Sequence, residues 1–133
     1  MPMERKRIEK LFQRLDKQPL CRFPERGYGL TAPRTHGVYV IRDHSNNVLH
    51  VGRTLRGRNG LFQRLCNHLL GQSSFVGVHL KGDGRCLRTG YTFQYIEVPD
   101  NRERALLESF ATAWHCPAHL GVGANRVNAA SKT

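Results

Sequence analysis

Apolar positions recur along this chain in two rhythms, one of about 3.6 residues and one of about two, and the switches between them mark out its elements. Between Arg5 and Asp16, the residues Ile8, Leu11, Phe12 and Leu15 share one helical face, with basic side chains around the rest. Gly37 to Arg42 and Val48 to Gly52 are rich in Val, Ile and Tyr and predict two strands. The polar group Asp43-His44-Ser45-Asn46-Asn47 between them suits a hairpin turn. Leu61, Phe62, Leu65, Cys66 and Leu69 return to helical spacing and predict a helix ending at Gly71. Tyr91 to Val98 predicts a third strand, with Tyr91, Phe93 and Tyr95 on one face. Asp100 or Asn101 is placed to cap a further helix, and Glu103 puts favourable charge near its start. Leu106, Leu107, Phe110 and Trp114 predict that helix's buried stripe, and Pro117 its limit.

Strand, strand, helix, strand, helix implies an α+β fold: a small, mainly antiparallel three-stranded sheet flanked by helices. At 133 residues the chain suits one core of two packed layers rather than two independent ones. Residues 1–34 read as a basic helix followed by an irregular loop, Pro19 to Pro33. Residues 35–121 read as the core domain. Within it, 72–90 holds four glycines and few apolar runs, which predicts a partly exposed insertion. Residues 122–133 form a small, polar tail.

Charge changes this picture. The chain has 21 Lys and Arg against 10 Asp and Glu, a formal charge of +11, which favours a polyanionic partner such as nucleic acid or an acidic membrane surface. Arginine supplies most of the basic side chains, and its planar fork suits phosphate where lysine serves as a point charge. No stretch approaches the roughly 18 apolar residues of a membrane span, and no apolar run follows the charged first ten residues. The four cysteines, Cys21, Cys66, Cys86 and Cys116, form no close pairs, so neither a zinc finger nor a disulfide framework is indicated. A cytoplasmic protein with reduced thiols is expected, with no membrane partner. Cys116 and His119, with His115 adjacent, have ligand-like spacing for zinc, but no second pair accompanies them.

Candidate chemistry gathers between His36 and His68, with one acid added later. Arg64 and His68, four residues apart, stand on one helical face at the border of the Leu61 and Leu65 stripe. That pair suits the edge of a phosphate-binding cleft, or equally a solvated helix surface. Glu108 borders the apolar stripe of the last helix, where a carboxylate needs a partner or a metal ion. An i,i+4 ion pair with Arg104 is the plain structural alternative. Tyr39 lies mid-strand and His50 in the next strand, and hairpin pairing can bring both to one surface. Arg53, Arg56 and Arg58 follow the second strand and suit either a solvated loop or contacts to a DNA backbone, which position a duplex without reading bases.

Gly37-Val38-Tyr39 followed by His50-Val51-Gly52 resembles the two name-giving tripeptides of the GIY-YIG nuclease family, and the match runs over roughly Thr35 to Gly121. In order, Arg64 falls at the family's helical arginine and Glu108 at its metal-ligating glutamate. His68 resembles an additional histidine of the restriction-endonuclease branch, and Pro117 follows as a proline does in many members. The resemblance implies a Mg²⁺-dependent DNA endonuclease, with Mn²⁺ able to substitute. Tyr39, His50, Arg64, His68 and Glu108 would be catalytic, Glu108 would hold the metal, and Arg53, Arg56 and Arg58 would contact DNA. Two departures stand out. His50 replaces the tyrosine of the second tripeptide, and no asparagine occupies the usual place near the domain end. His119 lies nearest that place, with Asn125 and Asn128 further on. These departures keep open a catalytically weak or inactive nucleic-acid-binding module on the same fold. A homodimer or transient dimer is the expected route to cutting both strands.

Overall fold

In a computed structural model, the structure describes residues 2–55 and 57–120. The chain runs α1 (Pro2–Asp16), β1 (Cys21–Arg22), β2 (Gly37–Arg42), β3 (Val48–Arg53), α2 (Gly60–Leu69), α3 (Ser74–His79), a 3-10 turn (Gly84–Arg88), β4 (Thr92–Glu97) and α4 (Asn101–His115). The fold is α+β. The four strands form one sheet in the order β1-β4-β2-β3, antiparallel throughout, so the expected three-stranded sheet gains the two-residue β1 on the outside of β4. β1 pairs only Cys21 with Phe93 and Arg22 with Thr92, too short a run to carry any period in the sequence.

Side chains leave β2 in alternation and divide the interior in two. Val38, Val40, Val51 and Ile96 pack under α1 and α4, joined by Ile8, Leu11, Phe12, Leu15, Leu107 and Ala111. Tyr39, Ile41 and Phe93 face the other way, against Leu61, Leu65 and Leu69 of α2 and Phe75 and Val76 of α3. The predicted face of α1 is therefore the buried one, and residues 2–22 share the sheet and its first core.

Local chemistry sets the boundaries. Asp43 accepts hydrogen bonds from the backbone N–H of Ser45 and Asn47, closing the hairpin, and Asn46 takes φ 67° there. Asp100 caps α4 by accepting from the Glu103 N–H at 2.9 Å, and Cys116 ends the helix in the left-handed region. Ser73 caps α3, accepting from the Val76 N–H. Residues 72–90 carry α3 and the 3-10 turn and mix exposed positions with the fully buried Phe75, Val76 and Leu87. One expectation fails. Trp114 is not part of the α4 stripe; it is 67% exposed and lies against Phe110 and Phe12, and the buried positions are Arg104, Leu107 and Ala111. α4 is covered on one side by the sheet and on the next by α1, and Trp114 turns past the edge of both.

Candidate active site

Gly52 is where the site begins. Tyr39 is paired with Gly52 across the β2–β3 ladder, and a β-carbon built on Gly52 would overlap the Tyr39 phenol and come within 3.0 Å of His50 Nε2. Only glycine lets the tyrosine lie over the edge strand. Ile41 pairs with His50, so Tyr39 and His50 do emerge on the same face, the one covered by α2 and α3.

Behind the phenol lies a chain of polar groups inside an otherwise apolar core. Tyr39 Oη is 2.7 Å from His68 Nε2, and His68 Nδ1 is 2.7 Å from Ser73 Oγ. His50 Nδ1 lies 3.1 Å from His119 Nδ1, and the His50 ring stacks on Phe75 at 4.9 Å. His50 Nε2 is buried without a hydrogen-bond partner, the one such side-chain N or O atom among the described residues. His119 is held by its backbone N–H to the Leu49 carbonyl at 2.9 Å. His68 thus sits fully buried rather than at the border of the α2 stripe, because α3 closes over it through Ser73 and Phe75.

In front lies an open cleft of about 550 Å³ lined by Arg53, Arg58, Gln63, Arg64, Asn67 and Glu108, together with residues of the loop after β3 such as Thr54, Leu55 and Asn59. Glu108 is half-buried and faces Arg53 at 3.5 Å. The alternative ion pair with Arg104 does not form. Arg104 is buried and spends its five N–H donors on the carbonyls of Thr54, Leu55, Val98 and Pro99 and on Asn101 Oδ1. It pins the loop that walls the cleft and leaves Glu108 to the cleft itself.

Cleft and buried chain meet at Arg64. Burial pushes the Tyr39 phenol well above its usual range, the Arg64 charge and hydrogen bonding oppose that, and the Glu108 charge adds to it. Burial also raises the Glu108 carboxyl, against the pull of Arg53 and then Arg64. His50 is pushed down to about 3 by burial, by His119 and by Arg64. His68 is lowered as well, by burial first and then by His50, Arg64 and His119. A charged His68 stabilising a phenolate, which a sequence reading allows, is therefore disfavoured: the imidazole is neutral at pH 7.

Of the residues singled out from the sequence, Arg53, Arg58, Arg64 and Glu108 line the cleft, while Tyr39, His50, His68 and His119 lie behind it, none more than 6% exposed. Arg56 and Asn125 lie outside the described residues, as does Asn128. Sequence reading missed Ser73 and Phe75. The signal was there in a cap-forming Ser-Ser ahead of Phe75-Val76, overshadowed by the surrounding glycines. It also missed Gln63 and Asn67, whose amides are linked at 2.9 Å on the cleft side of α2.

Other arrangements are not formed. No group of three or more His, Cys, Asp or Glu side chains placed to hold a metal ion occurs among the described residues. His115 faces Asp16 at 3.7 Å, whereas His119 goes to His50, so the zinc spacing at the end of α4 brings no ligand set together. No helix among the described residues is long and apolar enough to cross a membrane. No model of a known protein family matches the sequence, and no curated protein aligns with it significantly.

Proposed function

We propose that this protein is a divalent-metal-dependent endonuclease that hydrolyses DNA phosphodiester bonds, with a GIY-YIG-like core formed by β2, β3, α2, β4 and α4. One observation carries the reading: a guanidinium from α2 and a carboxylate from α4 line one open cleft, and the buried β2 phenol lies close enough behind for both charges to act on it. Three elements remote in sequence converge there, beside an open cleft on a chain of charge +11.

Glu108 is the single acid lining the cleft among the described residues, half-buried and with open space beside it. One carboxylate with room for water suits Mg²⁺, which keeps several waters and takes further oxygens from substrate phosphate; Mn²⁺ would serve in its place. When bound, the ion would supply Lewis-acid polarisation of the phosphate and acidify a bound water. Arg64 binds the nonbridging oxygens and meets the charge that builds on them, a role whose loss costs about 3 kcal/mol. Tyr39 holds that guanidinium from behind, itself fixed by His68 and Ser73. Arg58 reaches the DNA backbone from the loop, while Arg53 balances Glu108 until phosphate and metal arrive. Cutting both strands takes two such sites, in a homodimer or a transient dimer.

The burial of Tyr39, His50 and His68 favours a second reading, a nucleic-acid-binding module without catalysis, since none of the three reaches solvent appreciably. A plasmid-nicking assay with and without Mg²⁺ separates the two. Nicking that needs Mg²⁺ and disappears in both Glu108→Ala and Arg64→Ala supports the nuclease. Salt-sensitive DNA binding with no nicking in Mg²⁺ supports the module.

A further inference from the structure

Across the sheet from α2 and α3, the C-terminal halves of α1 and α4 leave a hollow of about 370 Å³. One wall is aromatic. Phe12 meets Phe110 edge-on at 5.1 Å, and Trp114, the chain's one tryptophan, lies nearly parallel to Phe110 at 6.3 Å with its indole exposed. Glu9, Gln13 and Asp16 of α1, and Lys17 just after it, line the other side. Two carboxylates beside the rings oppose a phosphate backbone and set this hollow apart from the arginine-lined cleft.

A chain of charge +11 repels its own copies in general. Two copies meet at low electrostatic cost only where acid and base alternate, and α1 carries such a stripe. Glu9, Lys10, Gln13, Asp16 and Lys17 are all exposed, and spacings of three and four residues keep them on one helical face. Lys17 continues the last turn, its N–H donating to the Gln13 carbonyl at 3.1 Å. Nearer their N-termini the two helices match acid with base internally, Glu4 with Arg102 and Glu103 with Arg7. Glu9, Lys10 and Lys17 form no ion pair among the described residues. Asp16 faces Arg42 at 3.6 Å and His115 at 3.7 Å, yet its side chain stays 46% exposed.

The stripe is its own complement. Glu9 and Lys17 lie four residues either side of Gln13, and Lys10 and Asp16 lie three. Laid antiparallel about a two-fold axis at Gln13, two copies of α1 put each acid opposite a base, and the axis doubles every match. A parallel pairing sets like charge against like, so the pattern also fixes direction. We propose that this face is the self-association surface of the protein. Two copies pair antiparallel across Gln13, with Glu9 against the partner's Lys17 and Asp16 against the partner's Lys10, and the partner's helix closes the hollow over Trp114. The pairing goes beyond the nuclease reading: it supplies the dimer that cutting both strands requires, but it rests on charge and shape and is measured without DNA or metal. A single helix pair is small beside the roughly 1,200 Å² at which stable complexes begin, so the dimer is transient.

Sedimentation velocity of the full chain, from low micromolar to near-millimolar concentration, is the test, with Trp114 emission followed over the same range. The wild type should pass from monomer to dimer while the emission shifts to the blue along the same curve. Glu9→Lys and Lys17→Glu should each weaken association by about 10-fold, because the axis turns two attractions into two repulsions. The double variant, Glu9→Lys with Lys17→Glu, should return to within about 3-fold of wild type, since the opposed signs are restored. Lys17→Glu is the sharper arm: it lowers the net charge, which by itself favours association. Far-UV circular dichroism checks that each variant, altered only at exposed positions, is folded. A wild type that stays monomeric with unchanged emission overturns the proposal. So does a dimer indifferent to both single changes, or one that the double variant weakens further. A monomer whose Trp114 emission shifts on adding an oligo-arginine peptide also overturns it, and gives the hollow to a basic segment of another protein. None of these outcomes bears on cleavage, so the nuclease reading stands or falls separately.

Discussion

The two sides of the sheet are built on different terms. Under α1 and α4 the core is aliphatic and aromatic, and its polar intruders are satisfied: Arg104 meets five oxygens, and Gln94 accepts from Arg42 and donates to the carbonyls of Asp16 and Gln18. Under α2 and α3 the interior holds a tyrosine and three histidines in contact, with one ring nitrogen unpartnered. Burying polar groups gains little stability even when they are paired and costs about 1–3 kcal/mol when one is left without a partner. The first side reads as construction. The second retains groups that a purely structural core would replace, and it is the side that backs onto the arginine-rich cleft.

The largest effect that tests this contrast is on activity. Glu108→Ala and Arg64→Ala should each lower Mg²⁺-dependent cleavage by 10²-fold or more, on the scale of removing a fixed charge or donor from a transition state, while urea melts move little because both side chains line open space. Arg104→Met should do the opposite first. It leaves five oxygens without their donor and should cost about 3 kcal/mol or more of unfolding free energy, measured by denaturant titration. If Arg104→Met leaves stability intact, the claim that this arginine is structural is lost.

Acid should weaken the fold through the histidine side. The His50 pKa is depressed to about 3 in the folded protein, whereas an unfolded imidazole titrates near 6.5. Below pH 6.5 the unfolded chain binds the extra proton, so stability falls as pH falls, across the window from 6.5 down to about 3. His50 alone accounts for about 2 kcal/mol lost by pH 5, and His68 adds in the same direction. Urea melts at pH 7 and pH 5 read this directly, and His50→Phe should flatten the dependence. Gly52→Ala is a smaller probe: its methyl must displace the Tyr39 ring, a loss of about 1–3 kcal/mol with cleavage falling alongside. Smallest is Arg58→Ala, which should reduce the salt slope of DNA binding by about one unit and leave the fold untouched.

The division between the two sides was partly legible in the chain. Ile8, Leu11, Phe12 and Leu15 declare a buried helical face, Asp43 and Asp100 declare a turn and a cap, and each acts where the sequence puts it. These are local signals, set by period and hydrogen bonding within a few residues. What sequence could not supply was partnership at long range. Glu108 turns to Arg53 rather than to Arg104 because Arg104 is occupied by carbonyls from two strand ends. His68 is buried because α3, contributed by a glycine-studded segment, folds down over it. Trp114 follows helical spacing faithfully yet points beyond the surface that would have covered it. Period assigns a side of a helix; only packing says whether anything lies opposite.

The central claim is that the Tyr39, Arg64 and Glu108 side chains form one phosphodiester-cleaving centre. A single-turnover assay at saturating protein on a labelled DNA duplex, wild type beside Glu108→Ala, tests it most directly. The account predicts Mg²⁺-dependent cleavage by the wild type and none detectable in a variant that still binds the duplex. Cleavage that persists at the wild-type rate in Glu108→Ala, or that proceeds equally in excess chelator, would contradict it.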